Sequence, residues 1–441
     1  MKKVLALILG LGLLGACGGK QGGGANNVGD GGDTASTEAV NYDKVQNTLE
    51  GTISRAEPFS DGVAVIEEAG NGRWLIDNTG KKLWSHQEKL PDNTSLQGYF
   101  VSGLCVARDL STYNQRVVMA VDKKGEIVIS TDKQGFTGIC FQYNDMMRHS
   151  SLQDGYLVAY KIVENHTGVV LQIGVLDTKG NWLIPLSEDN PISRAVKDSG
   201  RIEYEPSYLY LGEGFVLITD TRMGVNGFIL NIKTNKWFDA EFNINDYCGV
   251  FMENGVMMSA GGNQKVTANG EVSAPPVHME GIYASGLFLG GYAETFGYYD
   301  ANGSRAIDMS QYESITDHGF QGDKALIEIR NSNGNAFFTL IDRQGNFAFE
   351  PIALGGAALS PNSVAYSEGI LIHRSYEEFI FYNEIGQRLF TVPNASNAVG
   401  QAAMRNMSEF SDGLAIVQHW SSSVNYVCSY YIDKTGNRVI G

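Results

Sequence analysis

Reaction motifs are missing from this chain of 441 residues. It holds no P-loop, no GxSxG, no HExxH and no GxGxxG after a strand. Its histidines (His86, His149, His166, His278, His318, His373 and His419) are scattered without ligand spacing. No catalytic constellation, metal site or cofactor cradle can be placed on these grounds. Positive charge is also short: 33 Lys and Arg stand against 49 Asp and Glu, for a net charge of −16. No basic cluster is present to release counterions from phosphates, so nucleic acid is excluded as a partner. Cysteine is sparse as well. Cys105, Cys140, Cys248 and Cys428 sit in apolar stretches without CxxC spacing, and are read either as buried thiols or as one or two disulfides of an exported chain.

What is present begins at the N-terminus. Lys2 and Lys3 precede an apolar run from Val4 to Leu14, which is followed by Leu14-Gly15-Ala16-Cys17. The run is too short for a membrane helix, which needs about 20 apolar residues. Leu14 to Cys17 resembles the bacterial lipobox, which implies cleavage of residues 1–16 and lipidation of Cys17. Residues 17–41 are rich in Gly, Asn, Asp, Ser and Thr, with little to bury, and are expected to be a flexible tether. The chain is thus expected on the outer side of a cell membrane, held by its lipid.

From residue 42 to 441 one cadence returns nine times: an apolar strand entered by Gly, then a strand ending in Asp, two residues and Gly. Phe59-Ser60-Asp61-Gly62-Val63-Ala64-Val65-Ile66 returns as Phe410-Ser411-Asp412-Gly413-Leu414-Ala415-Ile416-Val417, with five of eight positions identical. Short runs of branched and aromatic residues fenced by Gly are strand signals. The turn has its own chemistry. Asp77 to Gly80, Asp122 to Gly125, Asp177 to Gly180, Asp300 to Gly303, Asp342 to Gly345 and Asp433 to Gly436 share DxxG, and Asn383 to Gly386 is the amide variant. In a type I turn with a bulge, the first side chain accepts an amide two residues on, and the fourth residue needs positive φ. The oxygen-ligand spacing of a calcium loop is absent.

These strands and turns, together with Tyr431-Ile432-Asp433-Lys434-Thr435-Gly436 and Phe296-Gly297-Tyr298-Tyr299-Asp300-Ala301-Asn302-Gly303, resemble the bacterial WG-containing β-repeat family over residues 59–441. Phe296-Gly297 and Ile173-Gly174 stand nearest to the family's Trp-Gly pair, which no copy keeps. The resemblance implies an exported or surface repeat protein and brings no catalytic residues.

The expected fold is all-β: tandem β-hairpin units of three or four strands, about nine in number. They form a propeller-like closed ring or, as the alternative, an open β-solenoid. Closure would have Tyr42 to Glu57 pair with the last unit near Val439. The segment Ser187 to Tyr210 is expected to be a surface loop. Repeat symmetry gathers the loops between the two main strands on one face. They carry Tyr113, His166, Tyr292, Tyr376, His419 and Trp420, which could contact a protein or glycan or could merely cap strand ends. The function expected is that of a monomeric, lipid-tethered binding scaffold; the alternative is an exported glycosidase-like hydrolase on the same fold.

Overall fold

The computed structural model describes residues 53–111, 116–142, 155–165, 168–194, 206–219, 226–247, 250–331, 333–354, 363–375, 378–393, 406–421 and 426–441. All belong to the compact unit Ala39–Gly441. Cys17, Cys248 and residues 42–52 lie outside the described residues.

The described chain is mostly β, built of antiparallel sheets of three to five strands in sequence order, except that the first and last units share one eight-stranded sheet and that Phe141–Gln142 pairs in parallel with Ser207–Tyr208. In the second unit, Thr94–Val101, Leu104–Asp109, Val117–Asp122 and Ile127–Ser130 form a four-stranded meander, here lettered a to d. The sequence cadence corresponds to strands b, c and d; strand a supplies the edge in front of each Gly. Units five and six keep three strands each. Helix is confined to single turns such as His86–Lys89 and Thr131–Gln134.

The turns have the geometry expected from DxxG. The Asp77 carboxylate accepts the Thr79 amide at 2.9 Å, and Gly80 has φ +82. Asp122, Asp177, Asp300, Asp342 and Asp433 accept the amide two residues on at 2.8–2.9 Å. The same oxygen takes a second amide four residues on, for example from Lys81 and Glu126. Burial pushes the Asp77 carboxyl up, but the Thr79 hydroxyl and the Thr79 and Lys81 amides together hold it below the usual range. The carboxylate is committed to its turn.

The core lies between the sheets rather than within them, because every strand b is apolar on both faces. Val63, Leu75 and Trp84 of unit 1 meet Cys105, Ala107 and Val121 of unit 2. Unit 2 then meets unit 3 through Leu104, Ala120 and Leu157, unit 3 meets unit 4 through Tyr160, Ile173 and Val216, and the pattern continues to Phe381 of unit 8 with Phe410 and Tyr430 of unit 9. One further cluster joins Leu414, Ile416, Tyr431 and Ile440 of unit 9 to Ile53, Phe59, Ala64 and Ile66 of unit 1.

Turn contacts repeat in the same order. The Asp61 carboxylate accepts the Gly103 amide at 2.6 Å, Glu253 accepts Gly286 at 3.0 Å and Glu368 accepts Gly413 at 3.0 Å. Asp412 of unit 9 accepts Gly62 of unit 1 at 2.7 Å. Ile53 pairs with Glu68 on one side and with Ser429 on the other. The N-terminal partner is therefore strand c of unit 9 at Ser429, on the edge that Arg438–Ile440 begins to cover. It is not the neighbourhood of Val439 alone.

Two further expectations are sharpened. Cys105, Cys140 and Cys428 are all buried, and burial pushes the Cys105 thiol up to about 12. Within Ser187 to Tyr210, the described parts are surface loop only in part: Asp189 and Arg194 are exposed, but Asn190, Ile192 and Ser193 are buried, and Ser207–Gly212 is strand a of unit 4. The polar composition concealed this, because Asn190 turns its side chain inward, donating to Ser187 O at 2.9 Å and accepting from the Ser193 amide at 2.8 Å.

Candidate functional site

In an antiparallel meander the a–b and c–d turns lie at one end of the sheet and the b–c connections at the other. The neighbouring turn contacts put the tight turns of adjacent units together, so the b–c connections share the opposite face. Tyr292 lies there, 60% exposed, in the connection between Leu287–Gly290 and Gly297–Asp300. Its ring stacks on His278 at 4.5 Å and 19°, and His278 Nε2 is 3.4 Å from Glu280 Oε1. Tyr113, His166 and Tyr376 lie outside the described residues. His419 and Trp420 are strand residues, not loop residues. The last hairpin pairs through to Ser421 and Tyr426, with His419 opposite Cys428 and Trp420 opposite Val427. The structure thus places one of the candidate side chains in an open connection, and does not bring the set together among the described residues.

A concave site exists that this reading missed. Between units 1 and 2, a cleft of about 90 Å³ is lined by Arg55, Glu57, Glu67, Arg73, Ser95 and Gln97, with Val65 and Leu96 as apolar walls. It lies toward the b–c end, where strand b of unit 1 finishes. Arg55, Glu67 and Arg73 stand side by side in register across strands a, b and c, an alternation of charge that stabilises adjacent strands. Val63 belongs to the cluster shared with unit 2 and Val65 packs against it, so Glu67, two residues on, faces the same way.

The geometry is closely hydrogen-bonded. Arg73 Nε donates to Glu67 Oε2 at 3.1 Å, and its Nη1 reaches Ser95 Oγ at 2.5 Å. Arg55 Nη2 is 2.9 Å from Glu57 Oε1. The exposures are uneven: the Arg55 side chain is 56% exposed and that of Glu57 only 9%. Glu57 is fixed from both sides, its amide bonding Val65 O at 3.0 Å and its carbonyl accepting the Tyr431 hydroxyl at 2.6 Å. Two guanidinium groups and two carboxylates thus face a small opening with no net charge.

A sequence signal for this site does exist. Counting from the residue paired with the turn Asp or Asn, the fifth position of strand b is Glu67, Arg108, Tyr160, Glu328, Arg374 and Gln418 in units 1, 2, 3, 7, 8 and 9. Alternation alone would put an apolar residue there.

The same layer is buried between units 7 and 8. Glu328 is fully buried, with Oε1 3.1 Å from His318 Nε2, while its Oε2 has no hydrogen-bond partner. His373, opposite in unit 8, is also buried, and its Nδ1 is unpartnered. Burial pulls the His373 imidazole below its ordinary range, although Glu328 and Glu378 oppose the effect. His86 is lowered in the same way, by burial first and by Arg73 in addition, against the Thr94 carbonyl. A histidine kept neutral by the fold contributes stability that is complete above its unfolded value of about 6.5, and that is lost as pH falls through that value toward the folded one. The urea midpoint should therefore drop between pH 7.5 and 5.5, and His373→Leu should flatten the drop. An unchanged slope in the variant would remove His373 from the account.

Among the described residues no group of three His, Cys, Asp or Glu side chains is arranged to hold a metal ion. No protein-family model and no curated protein matches the sequence. Among solved structures, the chain is similar to dihydro-heme d1 dehydrogenase NirN in complex with DHE, with a TM-score of 0.36, 10% identity, and coverage of 78% of this chain and 71% of that one. It is similar to the AfRom2 CNH domain at a TM-score of 0.31 and 10% identity, over 87% and 94% of the two chains. It is similar to oligopeptidase B from Leishmania major at a TM-score of 0.33 and 11% identity, over 83% and 54%. Likeness at this level carries no argument about activity, and the architecture rests on the strand pairing and inter-sheet packing described above.

Proposed function

We propose that this chain is a lipid-anchored, extracytoplasmic binding scaffold of the WG-repeat kind, folded as a closed β-propeller-like ring whose b–c face meets a protein or glycan. The observation that carries the ring is chemical equivalence at the junction of last and first units: Asp412 holds the Gly62 amide as Asp61 holds that of Gly103, and an apolar cluster spans that junction like the others. A ring of repeats has no free sheet edge at its ends, and it gathers variable connections on one rigid face. The anchor is supported by Lys2, Lys3, the apolar run and Cys17, and the tether after Cys17 reaches roughly 25–30 Å.

The test has two arms. Cys17→Ser should move the protein from the membrane pellet to the soluble extracytoplasmic fraction; a variant that pellets as firmly as the parent removes the anchor. In pull-down and glycan-array profiles, Tyr292→Ala should lose bound material, since a central aromatic anchor commonly costs about 2 kcal/mol or more when truncated. Turnover of a polysaccharide by the purified chain would replace the scaffold with a hydrolase.

A further inference from the structure

We propose that the cleft between units 1 and 2 binds the edge of a neutral sugar, so that the ligand read by the b–c face is a glycan; this rests on the binding-scaffold reading above. The charges in the cleft are already balanced, with Arg55 on Glu57 and Arg73 on Glu67. A ligand carrying net charge would compete for one partner and strand the other, which is costly beside a carboxylate as buried as Glu57. A sugar has hydroxyls that both donate and accept, so it can bridge Glu67 and Arg73 without breaking either pair. Donors remain for it: Arg73 uses Nε on Glu67 and Nη1 on Ser95, and a guanidinium carries five N–H groups in a fixed fork.

Size and shape point the same way. The cleft offers about 90 Å³ to the centres of water molecules, against about 10–15 Å³ needed for one, so it holds several waters. That space admits one side of a sugar ring with its hydroxyls, not a whole oligosaccharide, so the sugar enters as one residue of a longer chain. Its hydroxyls would take over the hydrogen bonds of the waters they displace, while Val65 and Leu96 meet its C–H surface. The polar groups sit on paired strands, which hold them more rigidly than loops would.

The probe is a printed array of neutral, uronic-acid-bearing, sialylated and sulfated oligosaccharides, applied to the full chain and followed by calorimetry with the sugar retained. Neutral oligosaccharides should bind. Arg73→Lys and Glu67→Gln should each weaken binding roughly tenfold, the loss expected of one hydrogen bond to a charged group. Gln97→Ala guards against a folding artefact, because its amide makes a 3.4 Å bond to Ser95 O; it should weaken binding about threefold with the parent's melting temperature. Preference for acidic sugars, equal binding by all three variants, or retention of no sugar overturns the inference. Retention of no sugar, together with a protein partner lost in Tyr292→Ala, would leave the scaffold reading standing and remove the glycan.

Discussion

A chain shortened to begin at Pro58 should unfold at a clearly lower denaturant concentration than the parent, with a loss of several kcal/mol. The deletion removes Ile53–Ala56, which pairs with Val63–Glu68 and, through Ile53, with Ser429. Ile53 and Ala56 are 1% and 4% exposed within the cluster joining units 9 and 1. Burying an isoleucine contributes about 1.5–3 kcal/mol. The buried Tyr431 hydroxyl would also lose its acceptor, Glu57 O, and an orphaned buried donor costs about 1–3 kcal/mol. These terms sit on neighbouring groups, so they will not add simply. Removing residues 18–38 instead should leave the midpoint unchanged, since a segment this poor in apolar residues has little to pack. A chain beginning at Pro58 with the parent's midpoint would mean that the ends do not stabilise one another, and an open array would then replace the ring.

The repeat was legible because its two punctuation marks carry fixed backbone duties. Gly80, Gly125, Gly180, Gly303, Gly345 and Gly436 all have φ near +80, and the Asp three residues earlier accepts the amides of the turn. Such local requirements are written in single residues. Strand a was less visible, because in units 5 and 6 it shrinks to isolated bridges such as Glu253 with Val256 and Met279 with Gly290. His419 and Trp420 read as loop residues in the sequence because strand length is decided by pairing across the hairpin, here eight residue pairs from Leu414–Asp433 to Ser421–Tyr426, and pairing is not a property of either strand alone.

The cleft was the least legible feature. Arg55, Glu67 and Arg73 are separated along the chain by 12 and 6 residues and meet only through register. The opposing wall, Ser95 to Gln97, comes from another unit. Charges at the fifth position of strand b look like ordinary solvent-facing residues until the packing of successive sheets shows which side is covered. Glu328 makes the point at its extreme, since a sequence rule that exposes Glu fails where His318 lies 3.1 Å away.

Phe381→Ala should give the other large effect, a loss of about 3–5 kcal/mol, the range for deleting a buried aromatic ring. Phe381 is fully buried. It stacks on Phe390 of its own unit at 4.1 Å and meets Phe410 of the next unit edge-on at 6.1 Å. The cavity would open between two sheets, where Phe390 also packs against Gly436 so closely that a Cβ there would lie 2.5 Å from the ring. With the neighbouring turn fixed in this way, little can move in to fill the space. Ile385→Ala, in the turn of the same unit and 69% exposed, should stay within about 0.5 kcal/mol of the parent. Urea titration of both variants separates the two sites, and the slope carries further information. If all units unfold as one cooperative body, Phe381→Ala shifts the midpoint and keeps the slope; if units 8 and 9 can open alone, the slope falls as the transition splits. A loss below about 1 kcal/mol would mean that this interface relaxes around the cavity, and that the core between successive sheets is not what holds neighbouring units together.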